Sequence, residues 1–532
     1  MIGMANRWVV FDALAVGATA GLLGEVLVLR MNPEVTQTVR GVILGFPLWA
    51  TWGMVGAGLP LLIGLAFLGR LRPRPDRWPA PVLSALVFFV AAVLSRVNAH
   101  LHSRLLEETV RRVLAQDAVA WIVAALLALG GGALVRYLGG GRRLRVAFSC
   151  VMLTLPMVRV LWSSTPPRQP LDVAARPLGE AARPLLVIGV EGLDAKVLLV
   201  DAATGRYPTI ARFREESSWG PLVPHRPYLR WALWTSAATG TYPRLHGVKA
   251  HWGWNLPLVF PETLRLLPWT PEGSRMILPW GMAERVPPPP ATVAPLWARL
   301  QASGMNTVVL GWPGAWADGG GGREDPDSRR SAALEATLGA SLEAALEPFP
   351  ERRSQIWGGI VRDQVRVDAT REALEAGAEN VWIHLETLSL VRRFHEPLRP
   401  GHTRERLLLE LVMELLDEQL GALFGATRDG SLVAVVSPYG LAAPNSLERL
   451  RRLLGGGDSW RTSAETCPDG LLMLLGDAVP PGNRVPPARL PDVAPTLCYL
   501  LGLPVAQYME GGVAVDAVEP AFLAEHPLRV VD

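Results

Sequence analysis

Apolar residues dominate the first third of the chain, in long runs that short basic segments separate. A helix needs about 20 mostly apolar residues to cross a bilayer, and five runs approach or exceed that length. They lie at 8–29, 41–69, 79–94, 118–137 and 146–162. The pattern therefore predicts a multi-pass membrane region of about five helices at 1–162.

The first of these runs carries two acidic residues, Asp12 and Glu25, and is the weakest of the five. Both acids lie toward the ends of the run, so we expect them near the interfaces or facing the bundle interior. A buried polar site is the alternative. The start of the run is barely basic and no small-residue cleavage site follows, so we do not expect a cleavable signal peptide.

Loop charges predict the orientation of the helices, because cytoplasmic loops carry an excess of Lys and Arg. Two short loops on the side of the N-terminus are strongly basic, with Arg70, Arg72, Arg74, Arg77, Arg142, Arg143 and Arg145. We therefore expect a protein of the cytoplasmic (inner) membrane with its N-terminus inside and its C-terminal domain outside, in the periplasm. If the first run does not span, the domain lies in the cytoplasm.

The rest of the chain alternates short apolar runs with helical patterns. A segment rich in Pro, Arg and Ala at 163–183 predicts an extended linker. Beyond it, strand patterns lie at 185–191, 307–310, 381–385, 432–436 and 471–475, and helical patterns at 332–346, 403–423 and 490–501. This alternation predicts one α/β domain at 184–532 with a mostly parallel central sheet.

Composition narrows the classes of function. The formal net charge is only +3 over 532 residues, so we expect no nucleic-acid partner. The mean hydropathy of +0.22 agrees with a membrane protein. The three cysteines, Cys150, Cys467 and Cys498, form no Cys/His cluster, so a structural zinc site is not predicted. Whether Cys467 and Cys498 pair depends on a proximity that the sequence does not reveal.

Ligand sites in parallel sheets form beyond the carboxyl ends of the strands. The residues that follow the predicted strands are Glu191, Trp312, Glu386, 437–439 and Gly476. Ten tryptophans lie between 219 and 316, and they predict either core packing or a binding surface for a partner.

The motifs VIGVEGLDA, RYPTIARF and LWTSAATGTYPRLHGV follow one another from residue 187 to residue 248. Further on come VVLGWPG, LVAVVSPYG, TCPDGLLML and PDVAPTLCYLLGLPVAQYMEGGV. In order and spacing they resemble the alkaline phosphatase superfamily, and most of all its type I phosphodiesterase/nucleotide pyrophosphatase branch, which includes membrane-anchored bacterial members. The resemblance covers most of 184–532 and implies an alkaline-phosphatase-like α/β domain.

The resemblance implies a site with two divalent metals, Zn or Mn, held by Asp and His, and a Thr or Ser nucleophile between them. The position that matches the nucleophile is Arg230, six residues before Ser236. Those that match the metal ligands are Glu191, Ser389, Arg393, Pro438, Tyr439 and Thr466. Glu191 could still ligate a metal. An arginine is cationic at any relevant pH and repels a dication, so we expect the nucleophile and most metal ligands to be missing.

The arginines at 230 and 393 have two possible roles at this position. They fill the former metal cavity by pairing with Glu191, or they bind an anionic group directly. A relocated metal site is a further alternative, with Glu191, Asp194, His384, Glu386 and His395 as its candidate ligands. Strand alternation places His384 and Glu386 on one face, although a lone histidine is more often structural.

Three functions remain open from the sequence. The first is a membrane-anchored, non-catalytic member of the superfamily that binds a protein partner or an anionic ligand. The second is a divergent metal-dependent phosphodiesterase, or a phospho-headgroup hydrolase or transferase at the membrane surface. The third is a structural subunit of a membrane complex. No cofactor is predicted except the two divalent metals that the second alternative requires.

Overall fold

The computed structural model describes residues 4–35, 39–69, 78–162, 173–195, 205–249, 252–255, 262–266, 283–285, 291–314, 350–394, 403–440 and 467–531. The chain forms two compact units. The first comprises Met1–Gln169 with Lys249–Pro288, and the second comprises Pro170–Val248 with Pro289–Asp532. The segment Lys249–Pro288 therefore belongs to the helical unit. The predicted domain limits at 162 and 184 stay a prediction.

The first unit consists mainly of helices. They are α1 (Met4–Met31), α2 (Val39–Gly53), α3 (Leu59–Gly69), α4 (Ala80–Leu101), α5 (Glu108–Tyr137) and α6 (Arg142–Trp162). A π-helical turn at Met54–Gly58 joins α2 to α3, so these two form one continuous span. A short antiparallel pair, β3 (Trp252–Trp254) and β4 (Ala283–Arg285), completes the described part of this unit.

Five helices of this unit are long and apolar enough to cross a membrane, which confirms the predicted membrane region. The helices α4 and α5 differ most from the prediction. The helix α4 continues to Leu101 and α5 begins at Glu108, so most of the stretch between the predicted spans is helical. Hydropathy alone underestimates these helices because their polar ends extend beyond the apolar core.

Glycines hold α1 close to α2. A Cβ atom added at Gly21 would lie 1.9 Å from the carbonyl oxygen of Trp49, and one at Gly53 would lie 2.0 Å from that of Gly17. Only a hydrogen atom fits in such a gap, so the two backbones touch, as small residues allow in membrane helices. As a result α1 is the most enclosed candidate span, with 72% of its apolar window buried.

The second unit is built on a seven-stranded sheet. In spatial order its strands are β5 (Thr307–Leu310), β6 (Asn380–Leu385), β1 (Leu185–Val190), β7 (Leu432–Tyr439), β8 (Asp469–Leu475), β2 (Ser218–Val223) and β9 (Ala488–Arg489). The strands from β5 to β7 are parallel, and β8 is antiparallel to both of its neighbours. The predicted α/β fold with a mostly parallel central sheet is thus confirmed.

Helices cover both faces of this sheet. They are α7 (Pro208–Glu216), α8 (Arg230–Thr239), α9 (Pro243–His246), α10 (Leu296–Ala302), α11 (Pro350–Glu375), α12 (Thr387–Phe394), α13 (Thr403–Gly425), α14 (Val493–Leu500) and α15 (Pro520–Glu525). A small parallel pair, β10 (Val505–Ala506) and β11 (Val530–Val531), lies near the C-terminus. The predicted helix at 332–346 lies outside the described residues.

Strand β1 shows how the sequence builds two cores. Leu185 and Val187 pack into the cluster under α8, α10 and α14, whereas Leu186, Ile188 and Val190 pack into the cluster under α11 and α13. Successive side chains on a strand point to opposite faces, so a continuous apolar run buries both. The sheet is therefore central, and polar residues concentrate where its parallel strands end.

Candidate functional site

The carboxyl ends of three neighbouring strands bring several of the predicted site residues together. Strand β1 lies between β6 and β7, with Val190 opposite Leu385 and Gly189 opposite Val436. Glu191 therefore follows β1 beside His384 and Glu386, which end β6, and beside Tyr439, which ends β7. The strand-end argument from sequence predicts that Glu191, Glu386 and Tyr439 lie close together, and the structure adds His384 to them.

Glu191 is the buried centre of this cluster, with 0% of its side chain exposed. Its Oε1 accepts a hydrogen bond of 2.5 Å from the hydroxyl of Tyr439. Its Oε2 lies 2.6 Å from Nη2 of Arg230 and 3.6 Å from Nε2 of His384. A buried carboxylate needs charge partners and hydrogen-bond donors, and this one has both.

Arg230 is the first residue of α8, which projects it toward the strand ends. Its Nη2 also lies 3.4 Å from Oε2 of Glu386, so one guanidinium faces two carboxylates. Burial is the largest single influence and lowers the pKa of Arg230, but Glu191, Tyr439 and Glu386 together outweigh burial and hold that pKa above its ordinary value. The position that matches the family nucleophile is therefore a permanent cation.

His384 is buried against aromatic rings. Its ring centroid lies 4.7 Å from that of Trp234, and Trp312 and Trp382 continue the edge-to-face packing. Burial lowers the pKa of His384, so the imidazole is neutral at physiological pH. The tryptophans of this region that are described and buried are thus core residues, in agreement with the packing alternative.

Glu386 joins the cluster to α11. Its Oε1 accepts a hydrogen bond of 2.8 Å from Nε of Arg362. Burial acts to raise the pKa of Glu386, but nearby guanidiniums, led by that of Arg230, outweigh burial and hold the pKa below its usual value. Glu386 is therefore an ionised carboxylate between two arginines rather than a general acid.

Asp363 fixes the strand end that carries Glu386. Its carboxylate accepts hydrogen bonds from the backbone N–H groups of Glu386 and Thr387, at 2.8 to 3.0 Å, where α12 begins. Arg366 lies 3.5 Å from Asp363 and donates to the carbonyl of His384 at 3.1 Å. Burial raises the pKa of Asp363 to about 6, so it is still ionised at neutral pH.

Asp194 does not join the Glu191 cluster. Its Oδ2 pairs with Nη2 of Arg392 at 2.8 Å, and Arg392 also donates to the carbonyl of Gly192. Ser389, which matches a metal ligand, donates to the carbonyl of Glu386 at 3.0 Å in the first turn of α12. These side chains are engaged in local structure.

Of the remaining predicted site residues, Pro438 is the one that the structure describes with its side chain. Pro438 lies within β7, next to Tyr439. The side chain of Arg393 and the residues His395 and Thr466 lie outside the described residues. Among the described residues, Cys467 and Cys498 are not joined by a disulfide.

Ser236 has two histidines as hydrogen-bond partners. Nε2 of His225 and Nε2 of His246 each lie 3.0 Å from its Oγ. Nδ1 of His246 accepts the N–H of Val248, so we assign the donated proton to its Nε2. Ser236 and His246 are both 0% exposed, and the three residues therefore form an enclosed structural network.

The residues present do not fit a pair of divalent metal ions. In the part of the chain that is described, no group of three or more His, Cys, Asp or Glu side chains is placed to hold a metal. The space between Glu191 and Glu386 holds the guanidinium of Arg230. A guanidinium has no lone pair to offer and repels a dication, so the carboxylates here already have their cation.

Sequence reasoning missed Arg362, Asp363, Arg366 and Arg392. The hydropathy pattern does not predict helix α11, because its apolar positions are sparse and its sequence is largely polar. The available signal is the charged spacing of Arg362, Asp363 and Arg366, which places two basic residues one turn apart on a helix.

This chain is similar to one protein family and to several solved structures. A family model described as type I phosphodiesterase / nucleotide pyrophosphatase matches residues 185–494. No curated protein matches the sequence. Among solved structures, wild-type alkaline phosphatase PafA is 12% identical and has a TM-score of 0.41, over 64% of this chain and 100% of that chain. Murine ectonucleotide pyrophosphatase/phosphodiesterase 5 is 12% identical and has a TM-score of 0.33, over 60% and 95%.

Proposed function

Because the chain belongs to the type I phosphodiesterase / nucleotide pyrophosphatase family, we propose that it is a membrane-anchored, non-catalytic member that binds a protein partner or an anionic ligand. The observation that carries this proposal is the ion pair of Arg230 with the buried Glu191. A cation supplied by the chain itself stands where the family's chemistry needs a nucleophile beside metal ions.

Metal analysis of the purified full chain, with nitrophenyl phosphodiester hydrolysis in added Zn²⁺ or Mn²⁺, tests the loss of catalysis. We expect no stoichiometric divalent metal and no turnover. Two tightly bound ions per chain, or turnover that Glu191→Gln abolishes, would establish the divergent enzyme instead. Glu191→Gln is the right comparison because it removes the buried carboxylate while keeping its size.

Partly exposed guanidiniums favour an anion as the ligand. The side chain of Arg230 is 27% exposed and that of Arg362 is 36% exposed, and both border the same carboxylate, Glu386. Arginine forks suit phosphate and carboxylate groups. Binding of inorganic phosphate or nitrophenyl phosphate is expected to raise the melting temperature of the full chain.

A matched pair of variants makes the binding test specific. Arg362→Ala removes a guanidinium at the site, and Arg212→Ala removes one that is 77% exposed and pairs with Glu216 on α7. Phosphate should stabilise Arg212→Ala as it does the unmodified chain, and Arg362→Ala less. Equal stabilisation of both variants would place the anion elsewhere, and would leave a protein partner as the ligand to seek.

The orientation belongs to the same proposal. The basic loops around Arg72 and Arg143 support a cytoplasmic N-terminus, with the phosphodiesterase-like domain on the other side of the cytoplasmic membrane. A green fluorescent protein fused after Asp532 should then stay dark, because it folds poorly outside the cytoplasm. A bright fusion would reverse the assignment and agree with a first helix that does not span.

A further inference from the structure

Helix α1 carries three charged residues toward the bundle interior, and two have polar partners. Asp12 accepts a hydrogen bond of 3.0 Å from the indole N–H of Trp78. Nε of Arg30 lies 3.0 Å from Asp117 of α5. Glu25 is 1% exposed, and within the described chain neither of its carboxyl oxygens has a hydrogen-bond partner. Glu25 is therefore the exception in its own helix.

The surroundings of Glu25 are apolar and tightly packed. Leu22, Val26 and Leu29 of the same helix are buried in the bundle core. The ring of Trp49 packs at this level, 3.9 Å from where a Cβ on Gly24 would lie. Within the described residues, no side chain donates a hydrogen bond to the buried Glu25 carboxyl.

Three described charged groups on the helices around α1 have partners other than Glu25. Asp117 of α5 lies between Arg30 and Arg159 of α6, at 3.0 and 2.6 Å. Arg145 of α6 lies over the ring of Trp78, at the end of the bundle where Asp12 is found. Glu25 stands five residues before Arg30, about 7.5 Å deeper along the helix axis, and so away from both charged ends.

An ionised carboxylate without a counter-ion is costly in such an environment, and the group neutralises instead. We propose that Glu25 is a proton-binding site of the helical unit, whose carboxyl group holds a proton and exchanges it with water. The reaction is a simple acid dissociation, in which the O–H bond breaks and the proton passes to a water molecule. This site is independent of the Glu191 cluster and of any ligand bound there.

Infrared spectroscopy of the full chain in detergent, made with isotope-labelled glutamate, tests the proposal. Near neutral pH one isotope-shifted carbonyl band of a protonated carboxylic acid is expected, because the other described glutamates are exposed, hydrogen-bonded or ion-paired. The band should shift in heavy water as its proton exchanges. Its absence would overturn the proposal, and so would a band that heavy water does not shift.

Variants then assign the band. Glu25→Gln should abolish it, whereas Asp12→Asn should leave it unchanged, since the label marks glutamate alone. A protonated-glutamate band that persists in Glu25→Gln would assign the proton to another residue and overturn the proposal. If Glu25→Gln does not fold, Glu25→Asp serves instead. Aspartate carries no label, so the isotope-shifted band should disappear in this variant too.

Discussion

Two buried glutamates, Glu191 and Glu25, lie one in each unit, and they differ in how the cost of burying a carboxyl group is offset. Glu191 ends a strand and is surrounded by Arg230, Tyr439 and His384. Glu25 lies in a helix of the bundle and has no such partner among the described residues. A sheet edge can gather donors from several elements, whereas an apolar bundle offers few. We infer that Glu191 is kept charged by its neighbours and that Glu25 is kept neutral by their absence.

The largest expected effect follows from removing the cation beside Glu191. Arg230→Ala leaves a fully buried carboxylate without its ion pair, and should lower the free energy of unfolding by about 3 kcal/mol. Thermal unfolding of the full chain, followed by tryptophan fluorescence, measures this loss. The double variant Arg230→Ala/Glu191→Ala should recover part of it, and a double variant that is less stable than Arg230→Ala would argue against the pairing.

Removal of the Asp363 carboxylate should cost somewhat less. Asp363→Ala removes the acceptor of the backbone N–H groups at the start of α12 and the carboxylate beside Arg366. The free energy of unfolding should fall by about 2 kcal/mol. Urea unfolding measures this loss. The control is Asp429→Ala, which removes an exposed carboxylate and should leave the free energy of unfolding unchanged. Equal midpoints for both variants would show that Asp363 does not support the strand end.

Tyr439→Phe removes a single hydrogen bond to Glu191 and keeps the ring. The expected loss is about 1.5 kcal/mol, the lower end for a bond to a charged group, because Arg230 still neutralises the carboxylate. The same unfolding assay measures it. In the background of Glu191→Ala the substitution should have no effect, and a loss that persists there would assign the role of Tyr439 to packing.

Arg362→Ala should matter least for stability at the strand ends. Its guanidinium is 36% exposed and pairs with Glu386 at 2.8 Å, so solvent screens the interaction to under about 1 kcal/mol. Raising the salt concentration should shrink the difference further. A loss as large as that of Arg230→Ala would show that the two arginines form one inseparable network.

The same substitution, glutamate to glutamine, should affect stability differently at Glu25 and at Glu191. If the Glu25 carboxyl is already neutral, the amide replaces it at nearly equal size, and the melting temperature should change by an amount equivalent to less than about 0.5 kcal/mol. Glu191→Gln should be clearly less stable, since it takes a charge away from Arg230. Similar losses for the two substitutions would mean that both glutamates are ionised.

Much of this architecture could be predicted from the sequence, because period and length determine it locally. The apolar runs indicate the candidate spans, and the strand-end rule brings Glu191, Glu386 and Tyr439 together from their positions in the chain alone. Motif spacing identifies Arg230 as the odd residue of the site. These are properties of neighbours in sequence or of a regular sheet.

Partner choice could not be predicted, because it depends on tertiary packing. Arg362 and Asp363 are separated from Glu191 by more than a hundred residues, and nothing local in α11 indicates which strand it will cover. The sequence predicts that Glu25 lies near an interface or faces the bundle interior, but it does not decide between the two. Helix α1 is apolar on most sides, so hydropathy does not reveal which side faces the bundle.

The ion pair of Arg230 and Glu191 also constrains how this chain can change over generations. Replacing Arg230 by a hydroxyl residue, which a nucleophile would require, leaves the buried Glu191 carboxylate without its ion pair. Replacing Glu191 first leaves the guanidinium without its closest counter-ion. Either order passes through a less stable intermediate, because neighbouring substitutions do not act independently. Single substitutions at Arg230 or Glu191 are therefore disfavoured, and we expect sequences that descend from this one to keep both residues.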